Sequence, residues 1–416
     1  MNKQLNEISW IKRTLGPGIL FASTAIGVSH LVQSTRAGAN YGFSLIIFII
    51  LANILKYPFF EFGSRYANAT QKSIIEGYKS LGKWVLWSYL TITILSMFFI
   101  TSAVGAVTTG FLQNLFLTTE YGYWNHIFIF SFCGAILSLG KYNYLDGIIK
   151  IIGITLLIST ISAFILVLFK GPYQKNIFPL LTYNKKDIFF IIALMGWMPT
   201  AVDLSSWNSL WTIERIKQTR YLPSMRQTLF EFNVGYIISA TLSLCFLTLG
   251  TYLMYGTDVT FANNSAAFAN QVVNLYTKSI GQWSYIVISV SGFSIMFGTC
   301  IAVFDGYARS ASECIRLVLN KNKYEKILYD FLIWLLVAGS TIIILQFGSK
   351  LKELVDLATT ISFLIAPFVA FCNYRLVLKP HLKDKNTPPR WLQYLAKIGI
   401  CFLIGFSFIF ILYKLI

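Results

Sequence analysis

Charge is scarce in this chain, and acidic charge scarcest. Of its 416 residues only 12% are Asp, Glu, Lys or Arg, and 17 acids stand against 34 bases. A soluble domain carries roughly 25% charged residues. This chain has too little polar surface for that class: 56% of it is hydrophobic and its mean hydropathy is +0.62. The six cysteines (Cys133, Cys245, Cys300, Cys314, Cys372 and Cys401) include no CxxC pair. Most fall inside apolar runs, which argues against a disulfide framework or a thiolate metal site and leaves small packing residues. HExxH, GxSxG and P-loop signatures are missing, so a membrane enzyme would lack its reactive constellation. The net charge of +17 does not indicate a nucleic-acid partner. The bases sit in short loops between apolar runs, not in a stripe with interleaved aromatics. The N-terminal MNKQLNEISWIKRT has no apolar core or small-residue cleavage site, so it reads as a polar tail and not a removable signal.

What the chain does have is long apolar runs. At about 20 residues per crossing they predict eleven helices. The runs are Leu15–Leu31, Phe43–Gly63, Trp84–Phe116, Trp124–Gly140, Leu145–Phe169 and Phe189–Trp211, then Phe230–Tyr255, Trp283–Tyr307, Leu328–Phe347, Leu354–Val377 and Trp391–Tyr413. The expected class is an all-α polytopic membrane protein with the lipid bilayer as its partner. A cytoplasmic tail covers 1–14 and a single transmembrane domain covers 15–416. With the N-terminus inside, the inner segments hold about 22 Lys and Arg and the outer segments about 9. The positive-inside rule therefore predicts a cytoplasmic N-terminus and an outer C-terminus, in a multi-pass protein of the cell's inner membrane.

Two of the runs are interrupted. Gly196-Trp197-Met198-Pro199-Thr200 lies in the sixth, where the proline removes a backbone donor and clashes with the preceding turn. Ala25-Ile26-Gly27-Val28-Ser29-His30 lies in the first, after Gly16-Pro17-Gly18, which reads as a helix start. Broken helices are tolerated at membrane depth where they are buried in protein or line a cavity. Interruptions five spans apart are the pattern of two inverted five-helix repeats, at about 15–169 and about 187–378, with an additional helix at about 391–413. Such folds bind their solute where the broken helices meet.

Several ionisable groups fall within the spans. His30 is the one histidine expected at midplane depth, and Asp203 follows Met198 by five residues. Both are candidates for binding and for proton coupling. Asp203 shares a face with Met198 only if the break re-phases the helix. Lys56, near Glu61, is expected to snorkel toward the interface. Asp146 and Lys150 are spaced for a helical ion pair. Asp305 falls near an inner helix end, on an exit path or in the interface, and Thr359, Thr360 and Ser362 are placed for hydroxyl contacts between helices.

Four pieces in order resemble the Nramp family of divalent metal transporters. They are Gly16-Pro17-Gly18, Ala37-Gly38-Ala39-Asn40-Tyr41-Gly42, Arg65-Tyr66-Ala67-Asn68-Ala69-Thr70 running on to Glu76-Gly77-Tyr78, and Met198-Pro199. The resemblance implies the LeuT-type 5+5 inverted-repeat fold with interrupted helices one and six, and metal import usually coupled to protons. It also implies a departure. The family's Asp-Pro-Gly-Asn of helix one falls on Gly27-Val28-Ser29-His30, so the ligating aspartate is missing and His30 stands at the asparagine. The family's methionine ligand matches Met198, its backbone carbonyl ligand falls on Met195, and the histidine after Met-Pro is Thr200.

Two cargoes follow. A thioether and an imidazole suit a divalent transition-metal ion, Mn- or Fe-like, and reject Mg²⁺ and Ca²⁺, which want oxygen ligands. On that reading His30, Met198 and Asp203 are the metal ligands, with Gly27, Met195 and Thr200 completing the site of a symporter, and the metal is cargo, not a cofactor. The alternative is a site repurposed for a small polar or anionic solute. It would use the half-helix N-termini, the hydroxyls of Ser23, Thr24, Ser29, Thr200, Ser205 and Ser206, and the indoles of Trp197 and Trp207.

Overall fold

The computed structural model describes Thr14 and residues 16–140, 157–257, 261–321, 326–348 and 350–415. Every regular element among them is helical. In chain order these are α1 (Pro17–Ala25), a π-helical turn (Ser29–Ser34), α2 (Thr35–Tyr41), α3 (Ile46–Thr70), α4 (Ile74–Leu81), α5 (Lys83–Phe116), α6 (Trp124–Ser138) and α7 (Leu157–Lys170). Then come α8 (Lys185–Gly196), α9 (Leu204–Thr219), α10 (Met225–Met254), α11 (Ser265–Ile280), α12 (Tyr285–Val318), α13 (Lys326–Phe347), α14 (Leu351–Leu376) and α15 (Arg390–Leu415).

Seven of them (α3, α5, α10, α12, α13, α14 and α15) are long and apolar enough to cross a bilayer. Helices α6 and α7 are shorter apolar segments, and α1–α2 and α8–α9 are the two interrupted spans. The expected Asp146–Lys150 pair and the start of the fifth span lie outside the described residues. Exposed tryptophans mark the span ends: Trp84 and Trp391 open α5 and α15, and Trp124 and Trp283 stand at the starts of α6 and α12. Indoles favour that position because one edge is apolar and the other meets water.

The structure extends the first span well beyond the predicted Leu31, to Tyr41. The apolar run stops at Gln33-Ser34-Thr35-Arg36, but those four residues are buried and carry partners. Helices α4 and α11 were not legible from hydropathy because both are short and mixed. Each is set by its cap: Ser73 and Glu76 form a capping box, and the Asn264 side chain accepts from the Ala267 N–H.

The interrupted spans occupy the core, and each has a dedicated backing helix. Along α10, the Glu231 carboxylate accepts from the N–H groups of Gly16 and Gly18 at 2.9 and 2.6 Å, which caps α1. Farther along, Gly250 and Gly38 interlock α10 with α2 so closely that a Cβ on either would strike backbone of the other helix. Small residues allow that approach, and packing is the main attraction between helices in lipid. Helices α3 and α14 back the sixth span in the same way. Gly63 lies against Ser205, and the Asn373 amide donates to the Ser205 hydroxyl at 2.7 Å and to the Phe59 carbonyl at 3.1 Å. Helix α15 is peripheral, with only 17% of its apolar window buried, against 72% for α12.

Candidate functional site

Helix α8 ends at Gly196, and α9 starts at Leu204 with Asp203 at its N-cap. The residues between have no helical ladder, so their carbonyls need other partners. Lys56 supplies them. Its side chain is fully buried in the middle of α3. Nζ donates to the carbonyls of Met195 (2.8 Å), Gly196 (2.9 Å), Met198 (3.1 Å) and Thr200 (3.1 Å). The expectation that Lys56 snorkels is therefore corrected: four converging carbonyls hold the ammonium in the core, away from the interface. Glu61 is not its partner either, because Glu61 is bound by Arg65 one turn on, with Nε at 3.0 Å from both carboxylate oxygens. Asp203 is the carboxylate whose field acts on Lys56, and it accepts from the Tyr307 hydroxyl at 3.3 Å. Trp197 is fixed by its indole N–H, which donates to the Ser362 hydroxyl at 2.7 Å. That is one of the interhelical contacts expected of the α14 hydroxyl patch.

The break in span one is shorter. Helix α1 ends at Ala25, and the chain resumes as a π-helical turn at Ser29. Gly27 faces Thr299 of α12 with no space for a side chain, and the Thr299 hydroxyl donates to the Ser23 carbonyl at 3.0 Å. His30 is fully buried. Its Nε2 lies 2.8 Å from the Ser239 carbonyl, and its Nδ1 lies 2.7 Å from the Ser29 hydroxyl. A carbonyl accepts only, so Nε2 carries a proton toward Ser239, while Nδ1 lies against the Ser29 hydroxyl, whose own proton goes to the Ala25 carbonyl at 2.6 Å. Both nitrogens are engaged, and in this conformation His30 fastens span one to α10.

Between the two breaks lies a cavity of about 30 Å³. That is space for a water or two, given on the order of 10–15 Å³ for one. Hydroxyls of Thr24, Ser29, Thr200 and Thr299 and the indoles of Trp197 and Trp207 line it. Of the six residues proposed for a metal site, Thr200 alone is on this wall, whereas Thr24, Ser29, Thr200, Trp197 and Trp207 of the set proposed for a polar solute line it. Met198 is fully buried, and neither it nor Met195, Asp203, Gly27 or His30 is among the lining residues. Among the described residues, no three His, Cys, Asp or Glu side chains gather closely enough to hold a metal ion.

One further constellation escaped the sequence. At the α2 end of the first span, Arg36 grips Asp356 of α14 with two parallel bonds of 2.7 and 2.9 Å. Gln33 donates to the same carboxylate at 3.0 Å and accepts from Arg36 at 2.9 Å. This clasp forms part of the wall of a vestibule of about 600 Å³ that also includes Tyr41, Lys186 and Phe190. Asp305, at the opposite end of the core, is held by Arg309 at 2.7 Å and by the Tyr329 hydroxyl at 2.7 Å, a structural pairing within and beside α12.

The family model for natural resistance-associated macrophage protein-like (Nramp) proteins matches residues 18–413. The chain belongs to the Nramp family. It is 34% identical over 417 residues to the uncharacterized protein PM0681 of Pasteurella multocida strain Pm70, an alignment covering 99% of this chain and 95% of the relative. Among solved structures, its fold is similar to that of a variant of the Eremococcus coleocola manganese transporter (TM-score 0.74, 11% identity, 96% of this chain and 86% of that one). It is also similar to MhsT in complex with L-phenylalanine (TM-score 0.64, 12% identity, 94% and 98%). This Nramp protein is thus an integral multi-pass membrane transporter with the LeuT-type inverted-repeat fold. The two anchors fit that pattern: the second span of one repeat, α3, binds the break in span six, and its counterpart α10 binds the break in span one.

The role of His30 in this arrangement is testable. His30→Ala removes the buried bond to the Ser239 carbonyl, which keeps its donor within α10, a loss of about 1 kcal/mol. The expected result is a lower melting temperature, with His30→Gln recovering part of it. An unchanged melting temperature together with loss of metal binding would instead make His30 a ligand.

Proposed function

We propose that this Nramp protein is a secondary transporter whose cargo passes between the broken spans α1–α2 and α8–α9. The observation that carries this is the pair of breaks facing one small cavity in the core. Family membership, and the manganese transporter to which the fold is similar, support a metal ion as cargo. The finer form of that reading is a divalent Mn- or Fe-like ion moved with protons. Met198 is its retained soft ligand, and Asp203 and His30 are its candidate ionisable groups. Gly27, Met195 and Thr200 complete the candidate set.

A specific observation favours a second cargo. The cavity wall between the breaks has hydroxyls and indoles but no carboxylate, and a bare dication needs anionic or multiple oxygen donors. A small polar or anionic solute fits that wall better. Uptake of Mn²⁺ and Cd²⁺ into proteoliposomes decides between them. The metal reading expects saturable uptake and calorimetric binding. Absence of both would leave the polar solute, to be sought as the compound in a solute panel that raises the melting temperature. The direction of the chain in the membrane, with the N-terminus inside, belongs to the same proposal and is read by accessibility of tags at the two ends.

A further inference from the structure

We infer that the break in span six builds a cation site from its own backbone carbonyls, and that the Lys56 ammonium is the resident ion of that site. Four carbonyl oxygens from the six residues Met195 to Thr200 converge on one point at 2.8–3.1 Å. An ammonium has three N–H groups, so there is one acceptor more than hydrogen bonding requires. Rings of backbone carbonyls replacing a hydration shell are how proteins take a bare cation out of water. The point is fully buried, and the side chain reaches it from a different span, α3, so the ion is delivered by the fold and not by local sequence.

The acid whose field reaches Lys56 is Asp203, while Glu61, on another face of α3, is committed to Arg65. A second cation entering the shell would meet a positive charge already at its centre, in a region of low dielectric where repulsion is strong. The Met195 carbonyl, which the family resemblance assigns to metal, is accordingly occupied while Lys56 is in place. The inference does not rest on which cargo the transporter carries. It assigns the shell, and it predicts that a free small cation takes the place of the ammonium when the side chain is cut back.

The test is melting of the full-length protein in detergent, with choline as the only added cation and then with Na⁺, K⁺, Mn²⁺ or methylammonium. Lys56→Ala is expected to melt well below the wild type in choline. At least one of Na⁺, K⁺ or methylammonium should recover half or more of the loss in a saturable way, while the wild type does not respond to that cation. Lys56→Gln, which keeps two N–H donors but no charge, should stay near Lys56→Ala in choline. Three results would overturn the inference. One is Lys56→Met or Lys56→Gln matching the wild type in choline, since the shell would then need no charge. Another is a loss in Lys56→Ala that none of Na⁺, K⁺ and methylammonium recovers. The third is failure to obtain folded Lys56→Ala in any of these salts, because a true cation site accepts a free ion. Uptake is not the readout, so failure of either cargo reading leaves this result interpretable.

Discussion

Asp356→Asn is expected to open the Arg36 end of the molecule. Arg36 is buried, with 8% side-chain exposure, and its bidentate partner Asp356 is 35% exposed. The clasp joins α2, the outer half of a broken span on the proposed orientation, to α14. It ties a broken span to α14 beside the vestibule, and the expectation is that it keeps this end of the molecule closed. Removing one partner of a fully buried pair costs about 3–5 kcal/mol, and the partial exposure of Asp356 reduces that toward about 2 kcal/mol. Each 1.4 kcal/mol is tenfold in an equilibrium, so the open form should gain at least tenfold. Val104 of α5 lines the cavity and is buried. In a Cys401→Ser background, where the other five cysteines are buried, a Val104→Cys reporter should react with a maleimide at least tenfold faster once Asp356→Asn is added. The double exchange Arg36→Asp with Asp356→Arg should restore slow labelling. Equal labelling with and without the clasp would show that it does not close this end.

The contrast between Arg36 and the breaks shows what the sequence can and cannot tell. Both interruptions were legible because glycine and proline act through the local backbone, so a run containing Gly196 and Pro199 announces its own break. The spans were legible because hydrocarbon imposes a length on every apolar run. Lys56 was not. Its four acceptors lie 139 to 144 residues away, and nothing in the neighbouring sequence encodes them. A signal was nonetheless present. Glu61 stands five residues from Lys56 but four from Arg65, and only the latter spacing places charges on one helical face. Lys56 was thus left unpaired in the middle of an apolar span, and an unpaired intramembrane charge is a functional candidate.

Asp203 shows the opposite case. Its usefulness depended on the break re-phasing the helix, and the structure starts a new helix at that residue. The same break that re-phases Asp203 turns the carbonyls of Met195, Gly196, Met198 and Thr200 toward Lys56, and of these four residues only Thr200 also lines the cavity. The candidate ligands and the cavity wall therefore share only Thr200, a distinction that no count along the chain could make.

Gly196→Ala is expected to be among the most damaging single-methyl changes in the chain. The Cβ direction at Gly196 runs into the backbone carbonyl of Thr359 in α14. Overpacking a core usually costs about 1–3 kcal/mol because side chains adjust. Here the obstacle is backbone of a buried helix, so α8 itself must shift. Moving α8 also displaces the Met195 and Gly196 carbonyls from Lys56, coupling a packing fault to a loss of charge coordination. The combined loss should exceed about 3 kcal/mol, in the range reserved for named core faults, and the variant should lose its monodisperse peak on size exclusion. Gly38→Ala, which meets the Leu247 carbonyl of α10, should behave likewise. The control is Gly405→Ala on the peripheral α15, where nothing lies within 4 Å of the added carbon. Alanine is the better helix former by about 1 kcal/mol, so that variant should melt at or above the wild-type temperature. If Gly196→Ala and Gly405→Ala melt alike, the close approach of α8 to α14 is not what positions the break.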